Sequence, residues 1–183
     1  FKRIKKPGDL KEMVKKMEMQ ELTDIYWEST LPDEFDKTNT SNQFWSVFVA
    51  AQRKLNCHGF LTKNLKVAEM TTPNIHHIFP KSYLISHGVD KDGYNKIANF
   101  VYLRDDINKK VDDVAPKDYM KKVLEFNGSY NAEIENKKDL SDNLEENAIP
   151  DEIVDYDIRN YETFLKKRRE NMAKLVKKYY YSL

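Results

Sequence analysis

The chain is poor in the residues that tie small folds together. It has a single cysteine, Cys57, so no disulfide can form within the chain and a cysteine-rich zinc site is excluded. Five glycines are too few for a turn-dense all-β architecture. The lone cysteine fits a cytoplasmic location. No run approaches the roughly 20 apolar residues of a membrane-spanning helix, so we expect no membrane partner. We predict that Cys57 is a small buried residue at a helix end.

The start of the chain lacks two further features. It does not begin with Met, and the basic residues 1–6 lead into Pro7 and Gly8 where a signal peptide would have an apolar stretch. We therefore expect no signal peptide, and we expect the chain to be a piece of a longer protein.

Charge is nearly balanced overall but unevenly distributed. The net charge is +1, yet residues 133–157 are strongly acidic and residues 159–178 are strongly basic. The net charge therefore neither supports nor excludes a nucleic-acid partner. The basic blocks are compatible with phosphate contacts, and a solvated helix face explains them equally well.

Apolar periodicity predicts helices at both ends of the chain. Hydrophobic residues make up 40% of the sequence, enough for a proper core. The spacing predicts a helix over about 9–27 and a second from about Asn42 to about 57, with Phe44, Trp45 and Phe48 used for packing. The closing segment predicts an amphipathic helix with its lysines and arginines opposite the apolar face. That face carries Tyr161, Phe164, Leu165, Met172, Leu175, Val176 and Tyr179.

The middle of the chain predicts a smaller mixed unit. Residues 75–79 form a short extended segment after a break at 71–73, and 98–103 form the clearest strand. A short helix over 107–111 follows, and Pro116 begins another that reaches about 126. We predict an α+β, mostly α-helical fold in which one domain, residues 1–183, holds a small ββα unit. That unit spans about 74–116, between N-terminal helices at about 9–57 and C-terminal helices at about 117–181.

Two adjacent histidines, His76 and His77, suggest a hydrolytic site. Neighbouring residues of an extended segment point to opposite sides, so one ring can face a metal ion while the other faces a substrate. Phosphodiester hydrolysis needs a base near the attacking water and a cation near the leaving oxygen, and neutral histidine suits the base. A helix packed here would bring Asn108 to the metal as an oxygen ligand. Asn99 is placed to fix the backbone of the histidine loop.

These residues resemble the HNH nucleases, the ββα-metal group. The resemblance implies His76 as the first metal ligand and His77 as the general base. It implies Asn99 as the residue that orients the base and Asn108 as the second ligand. Asp106 falls where a carboxylate approaches the metal in some such domains, which makes it a third candidate ligand.

The likeness is closer to the C-terminal nuclease domain of GmrSD-type modification-dependent restriction proteins. It rests on the strings at 76–84, 97–99 and 115–119, and it covers roughly residues 42–180. The run 109–116 is also similar to the HNH domains of CRISPR effector nucleases. The family implies foreign DNA, often modified phage DNA, as the substrate. It also implies an N-terminal nucleotide-hydrolysing domain of the same protein as a partner.

The cofactor implied by the resemblance is a divalent metal ion. Many HNH sites have Asp before the base where this chain has His76, and imidazole is a softer ligand than carboxylate. We expect Mg²⁺ as the working ion, with Mn²⁺, Ni²⁺ or Zn²⁺ accepted more readily than at a carboxylate site. Lys81, Lys109 and Lys110 lie near the predicted site and are candidates for DNA phosphate contacts, with simple solvation as the alternative for each.

Two other functions stay open at this stage. One is a catalytically silent HNH-like domain that only binds DNA, and the other is a domain that regulates its N-terminal partner. The sequence does not specify nicking or double-strand cleavage, the modification sensed, or whether the chain forms a homo-oligomer. The choice of DNA over RNA rests on the family resemblance. His58 and His87 lack suitable partners, and we predict no catalytic role for them.

Overall fold

The computed structural model describes residues 6–70, 74–111 and 113–183. The basic start, the expected break at 71–73 and Asp112 of the 109–116 run lie outside the described residues. The fold is α+β and mostly helical, as predicted. Every helix within the described ranges is too short or too polar to cross a lipid bilayer.

Secondary structure in the described residues consists mainly of α-helices of 4 to 20 residues, joined by short turns, and one small sheet. The α-helices are α1 (Pro7–Glu21), α2 (Leu31–Glu34), α3 (Gln43–Lys54), α4 (Lys81–Ser86), α5 (Lys91–Tyr94), α6 (Asp105–Asn108), α7 (Pro116–Val123), α8 (Lys137–Glu146) and α9 (Tyr161–Tyr180). The strands are β1 (Asn74–His77) and β2 (Phe100–Leu103). A π-helical turn covers Tyr26–Thr30, and 3₁₀ turns cover Val67–Glu69, Ile97–Asn99, Ser129–Asn131, Asp151–Asp155 and Ile158–Asn160.

The first helix ends earlier than predicted, and its apolar side chains are exposed. It ends at Glu21, and the π-helical turn Tyr26–Thr30 replaces its expected last turn. Its apolar stripe faces outward, with Leu10 48% and Met17 54% exposed. An amphipathic pattern specifies a face but not the surface that covers it.

Helix α3 packs as predicted but ends earlier. The Asn42 side chain caps it by accepting a hydrogen bond from the Phe44 N–H at 2.9 Å. Trp45 and Phe48 are buried. The helix stops at Lys54, so Cys57 lies beyond it, buried as predicted, and burial raises the pKa of its thiol to about 12. That thiol stays protonated at neutral pH.

Helix α9 crosses the molecule and packs against α2 and α3. Its predicted apolar face is buried, with Phe164 and Met172 fully enclosed. Arg168 departs from the prediction that every basic residue lies opposite that face, because its side chain is 0% exposed. Its guanidinium donates hydrogen bonds to the backbone oxygens of Ala98, at 2.7 Å, and Asn147, at 3.2 Å. Two buried carbonyl groups thus obtain donors.

Strands β1 and β2 form an antiparallel pair that positions the histidines. His76 is opposite Val101 and His77 is opposite Phe100, and α6 follows β2 directly. The second strand begins at Phe100, two residues later than predicted, because Ile97–Asn99 forms a 3₁₀ turn. Side chains alternate along a strand, so His76 and His77 project from opposite faces of the ribbon.

Candidate functional site

A buried asparagine holds the backbone just after the histidines. Asn99 is fully buried, and its Oδ1 accepts a hydrogen bond from the Phe79 N–H at 2.9 Å. Its Nδ2 donates to the backbone oxygens of Phe79, at 3.1 Å, and Tyr94, at 3.2 Å. The Ile78 N–H donates to the backbone oxygen of Asn99 at 2.8 Å. Asn99 therefore lies where its amide ties down the histidine loop, while its contribution to catalysis stays a prediction.

Two side chains from the C-terminal helices support the same loop, and the sequence analysis did not find either. The Tyr119 hydroxyl of α7 donates to the Ile78 oxygen at 3.0 Å. Arg168 of α9 holds the Ala98 oxygen, one residue before Asn99. Burial raises the pKa of Tyr119 and lowers the pKa of Arg168 to about 9. The one available signal was that position 168 falls within the apolar spacing of α9.

The ring of His77 lies among aromatic side chains with one polar partner. Its Nε2 is 3.2 Å from Asn95 Oδ1, and its centroid is 4.8 Å from that of Phe100. Burial lowers the pKa of His77 and the Lys81 charge lowers it further, while the Asn95 hydrogen bond opposes both. The ring is therefore neutral at neutral pH, the state a general base needs. No sequence pattern pointed to Asn95.

His76 projects from the other face of β1 and meets helix α6. Its side chain is hydrogen-bonded to that of Asn108, the last residue of α6. Burial lowers the pKa of His76 to about 4, opposed first by the Asn108 hydrogen bond and then by the Asp113 carboxylate. The imidazole is therefore neutral at neutral pH and has a lone pair for a metal ion. The structure thus brings together His76 and Asn108, the two residues proposed as ligands.

Asp106 has a different environment from the one expected of a metal ligand. Arg104 binds both of its carboxylate oxygens, and Asn131 Nδ2 donates to Oδ2 at 2.9 Å. These contacts, the Arg104 hydrogen bond first, lower the pKa of Asp106 to about 2. Arg104 also pairs with Glu133. A carboxylate already neutralised by a guanidinium is a poor ligand, so the geometry argues against Asp106 at the metal.

The three lysines expected to contact DNA differ in their surroundings. Lys81 Nζ lies 5.2 Å from the centroid of the Tyr94 ring, and its charge acts on His77. Lys109 is ion-paired with Asp105 within α6. Lys110 donates to Asn131 Oδ1 at 2.7 Å. Of the three, Lys81 is the one placed beside the proposed base.

The remaining histidines have structural partners. His58 Nδ1 lies 2.9 Å from Glu146 Oε2, and the His58 N–H donates to the same oxygen at 2.7 Å. His87 Nδ1 lies 2.8 Å from the Tyr83 backbone oxygen. These contacts link each ring to its local backbone or to a neighbouring helix, and the absence of a catalytic role stays a prediction.

The donor set at His76 determines which metal ions fit. Within the described ranges, no three or more His, Cys, Asp or Glu side chains form a group that could hold a metal ion. His76 and Asn108 instead offer one imidazole nitrogen and one amide oxygen, already within contact of each other. Such a pair suits an ion that keeps most of its ligands as water or phosphate oxygens, as Mg²⁺ does, and not a closed structural zinc site.

Comparisons with known proteins give little further information. No family model matches the chain. An uncharacterized protein of Methanocaldococcus jannaschii is 33% identical over 51 residues, which is 28% of this chain and 9% of that protein. The chain therefore spans a small part of the length of this relative. No solved structure matches.

Proposed function

We propose that the chain is a metal-dependent endonuclease domain that hydrolyses phosphodiester bonds in DNA. One observation carries the proposal. The adjacent residues His76 and His77 project from opposite faces of β1, and each has its own asparagine partner. His76 meets a potential oxygen ligand, while His77 is a neutral imidazole beside the lysine Lys81. Phosphodiester hydrolysis needs a cation and a base, and His76 is suited to hold the cation while His77 is suited to act as the base.

In this proposal His77 removes a proton from the water that attacks phosphorus. Its lowered pKa keeps the ring unprotonated at neutral pH. Asn99 and Tyr119 hold the backbone of residues 78 and 79, so the chain next to His77 has a fixed position. A fixed base removes much of the entropy cost of the proton transfer. The Lys81 ammonium is positioned to contact a phosphate oxygen of the substrate.

His76 and Asn108 are the residues that would hold the divalent ion. When bound there, such an ion supplies Lewis-acid stabilisation for the charge that develops on the phosphate and the leaving oxygen. Mg²⁺ is the proposed working ion, with Mn²⁺, Ni²⁺ and Zn²⁺ as alternatives that imidazole ligation favours. Asp106 is left out of the ligand set because Arg104 and Asn131 already bind its carboxylate.

DNA as the substrate, and a role in restriction of foreign or phage DNA, follow from the resemblance to GmrSD-type proteins. The same resemblance proposes an N-terminal nucleotide-hydrolysing domain as the partner. The alternative is a catalytically silent HNH-like domain that binds DNA or regulates that partner. It predicts salt-sensitive DNA binding, or contact with the partner, without metal-dependent cleavage.

Plasmid cleavage tests the proposal directly. Supercoiled DNA is incubated with the purified chain and Mg²⁺, Mn²⁺, Ni²⁺ or EDTA, beside His77→Ala and the matched control His87→Ala. We expect metal-dependent nicking or linearisation that falls by about 10²-fold or more in His77→Ala, the usual contribution of a general base. His87→Ala should cleave at the wild-type rate, and Mn²⁺ titration should show that His77→Ala still binds metal.

Two results would count against the proposal. Wild-type cleavage by His77→Ala would remove His77 as the base. Failure of the folded wild-type chain to cleave with any ion, together with salt-sensitive DNA binding, would favour the silent alternative.

A further inference from the structure

We propose that Asn95 orients the His77 imidazole by accepting a hydrogen bond from Nε2–H, which makes Nδ1 the nitrogen that takes the proton. This inference rests on the proposed function, since it names the residue that positions the proposed base. Asn95 is a positioning residue, because it acts through His77 and not on the substrate.

The contact between the two side chains is supported on both partners. Asn95 Oδ1 lies 3.2 Å from His77 Nε2. The ring of His77 is bounded by two aromatic rings, with centroid distances of 4.8 Å to Phe100 and 6.2 Å to Tyr94. These edge contacts restrict the tilt of the imidazole, while the Asn95 hydrogen bond specifies which nitrogen faces inward.

The backbone of Asn95 is fixed from two directions. Its N–H donates to the Lys91 oxygen at 3.2 Å, which closes helix α5. The backbone oxygen of Asn95 accepts a hydrogen bond from the Asn39 N–H at 3.0 Å. The nearby Ile97 N–H donates to the backbone oxygen of Lys37 at 2.9 Å. Residues 37–39 therefore hold the segment that presents Oδ1 to the histidine. A positioning group works only when its own position is defined in this way.

The identity of the acceptor determines the tautomer. A neutral imidazole carries one proton, and an amide oxygen can only accept a hydrogen bond. With Oδ1 facing Nε2, the proton must lie on Nε2 and the lone pair on Nδ1. No described residue makes a hydrogen bond to Nδ1 of His77. Nδ1 is also not among the buried side-chain atoms that lack a partner, which in the described residues are Trp27 Nε1 and Arg168 Nε. Nδ1 is therefore the ring nitrogen left to take a proton from an attacking water.

Asn99 and Asn95 therefore have separate tasks. The side chain of Asn99 bonds to backbone groups of Phe79 and Tyr94, so it fixes the loop and not the ring. The resemblance to HNH nucleases assigns the orientation of the base to Asn99. The geometry divides that role, because Asn95 bonds to the His77 ring itself.

The test uses a matched pair of variants in the full chain. Asn95→Leu has nearly the same shape and lacks the acceptor, whereas Asn95→Asp keeps an oxygen facing Nε2. Two-bond ¹H–¹⁵N spectra of the histidine-labelled, metal-free protein report which ring nitrogen of His77 is protonated, with His77→Ala for assignment. We expect the Nε2–H tautomer with an observable, exchange-protected Nε2–H proton in the wild type and in Asn95→Asp. That proton signal should be lost in Asn95→Leu.

Cleavage kinetics provide the second readout. In Asn95→Leu we expect kcat to fall by about 10- to 100-fold, the usual effect of removing such a supporting partner, while KM changes little and Asn95→Asp recovers most of the rate. A proton on Nδ1 in the wild type, or a protected Nε2–H signal that survives in Asn95→Leu, would overturn the inference. Loss of the signal in Asn95→Leu from a chain that never cleaves DNA would support the orientation of His77 and count against the proposed function alone.

Discussion

The two sides of the candidate site are held by different kinds of interaction. On the loop side, the buried side chains of Asn99, Tyr119 and Arg168 bond to backbone groups at 78, 79 and 98. On the α6 side, ion pairs nearer the surface join Arg104 to Asp106 and Glu133, and Lys109 to Asp105. A buried group left without its partner costs about 1–3 kcal/mol, whereas an exposed ion pair contributes about 0–1 kcal/mol.

This difference separates a rigid side from an adjustable one. Residues 78 and 79, which follow His77 in the chain, cannot move without breaking buried hydrogen bonds. Helix α6, which carries Asn108, has only four residues and exchanges its surface ion pairs for water at little cost. A base benefits from a fixed position, while a metal ligand has to adapt to the ion and to the phosphate. Mutations on the two sides should therefore have unequal effects.

The largest effect is expected for Asn99→Ala. The substitution leaves Phe79 N–H and two buried carbonyl groups without partners, so the free energy of unfolding should fall by about 3 kcal/mol. The control is Lys109→Ala, which removes an exposed ion pair from the α6 side and should cost less than about 1 kcal/mol. Urea unfolding followed by circular dichroism measures both. Equal losses would remove the distinction between the two sides.

A smaller effect is expected for Tyr119→Phe. Only the hydroxyl is lost, so the ring keeps its packing while the Ile78 oxygen loses its donor, at a cost of about 1–2 kcal/mol. Because Ile78 follows His77, cleavage should also slow in conditions where the protein is folded. Tyr180→Phe is the control, since its hydroxyl bonds to Glu18 far along the chain. A variant as fast as the wild type would show that this bond does not position the base.

The smallest effect is expected for Asp106→Asn. The folded-state pKa of Asp106, about 2, lies below its unfolded value of about 3.9, so the contact stabilises the fold above pH 4 and is lost as the pH falls through 2. The variant should be less stable than the wild type by under about 1 kcal/mol at pH 7, and the difference should vanish near pH 2. Unfolding curves at several pH values measure this.

Metal titration of the same variant sharpens the comparison within α6. Asp106→Asn should bind Mn²⁺ as the wild type does, whereas Asn108→Ala should bind it about 10-fold or more weakly. Reduced binding in Asp106→Asn would return Asp106 to the ligand set.

Local sequence was sufficient for several elements of this protein. The capped, aromatic α3 and the amphipathic α9 follow from apolar spacing and an Asn cap, because such helices carry their own periodic signal. The opposite directions of His76 and His77 follow from the geometry of any extended segment. The order of His76, His77, Asn99 and Asn108 along the chain predicted which residues form the candidate site.

Only the tertiary structure decided which partner each of these groups meets. The buried Arg168 contradicts the pattern of α9, and the apolar stripe of α1 is exposed, because burial depends on which surface covers a face. Asn95, just after α5, reaches His77 of β1 from 18 positions along the chain, in a fold that brings residues 37–39 beside it. Asp106 meets Arg104 and Asn131 and not the proposed ligands His76 and Asn108. Periodicity and capping are local properties of the chain, whereas hydrogen-bond partners and burial depend on contacts between distant segments.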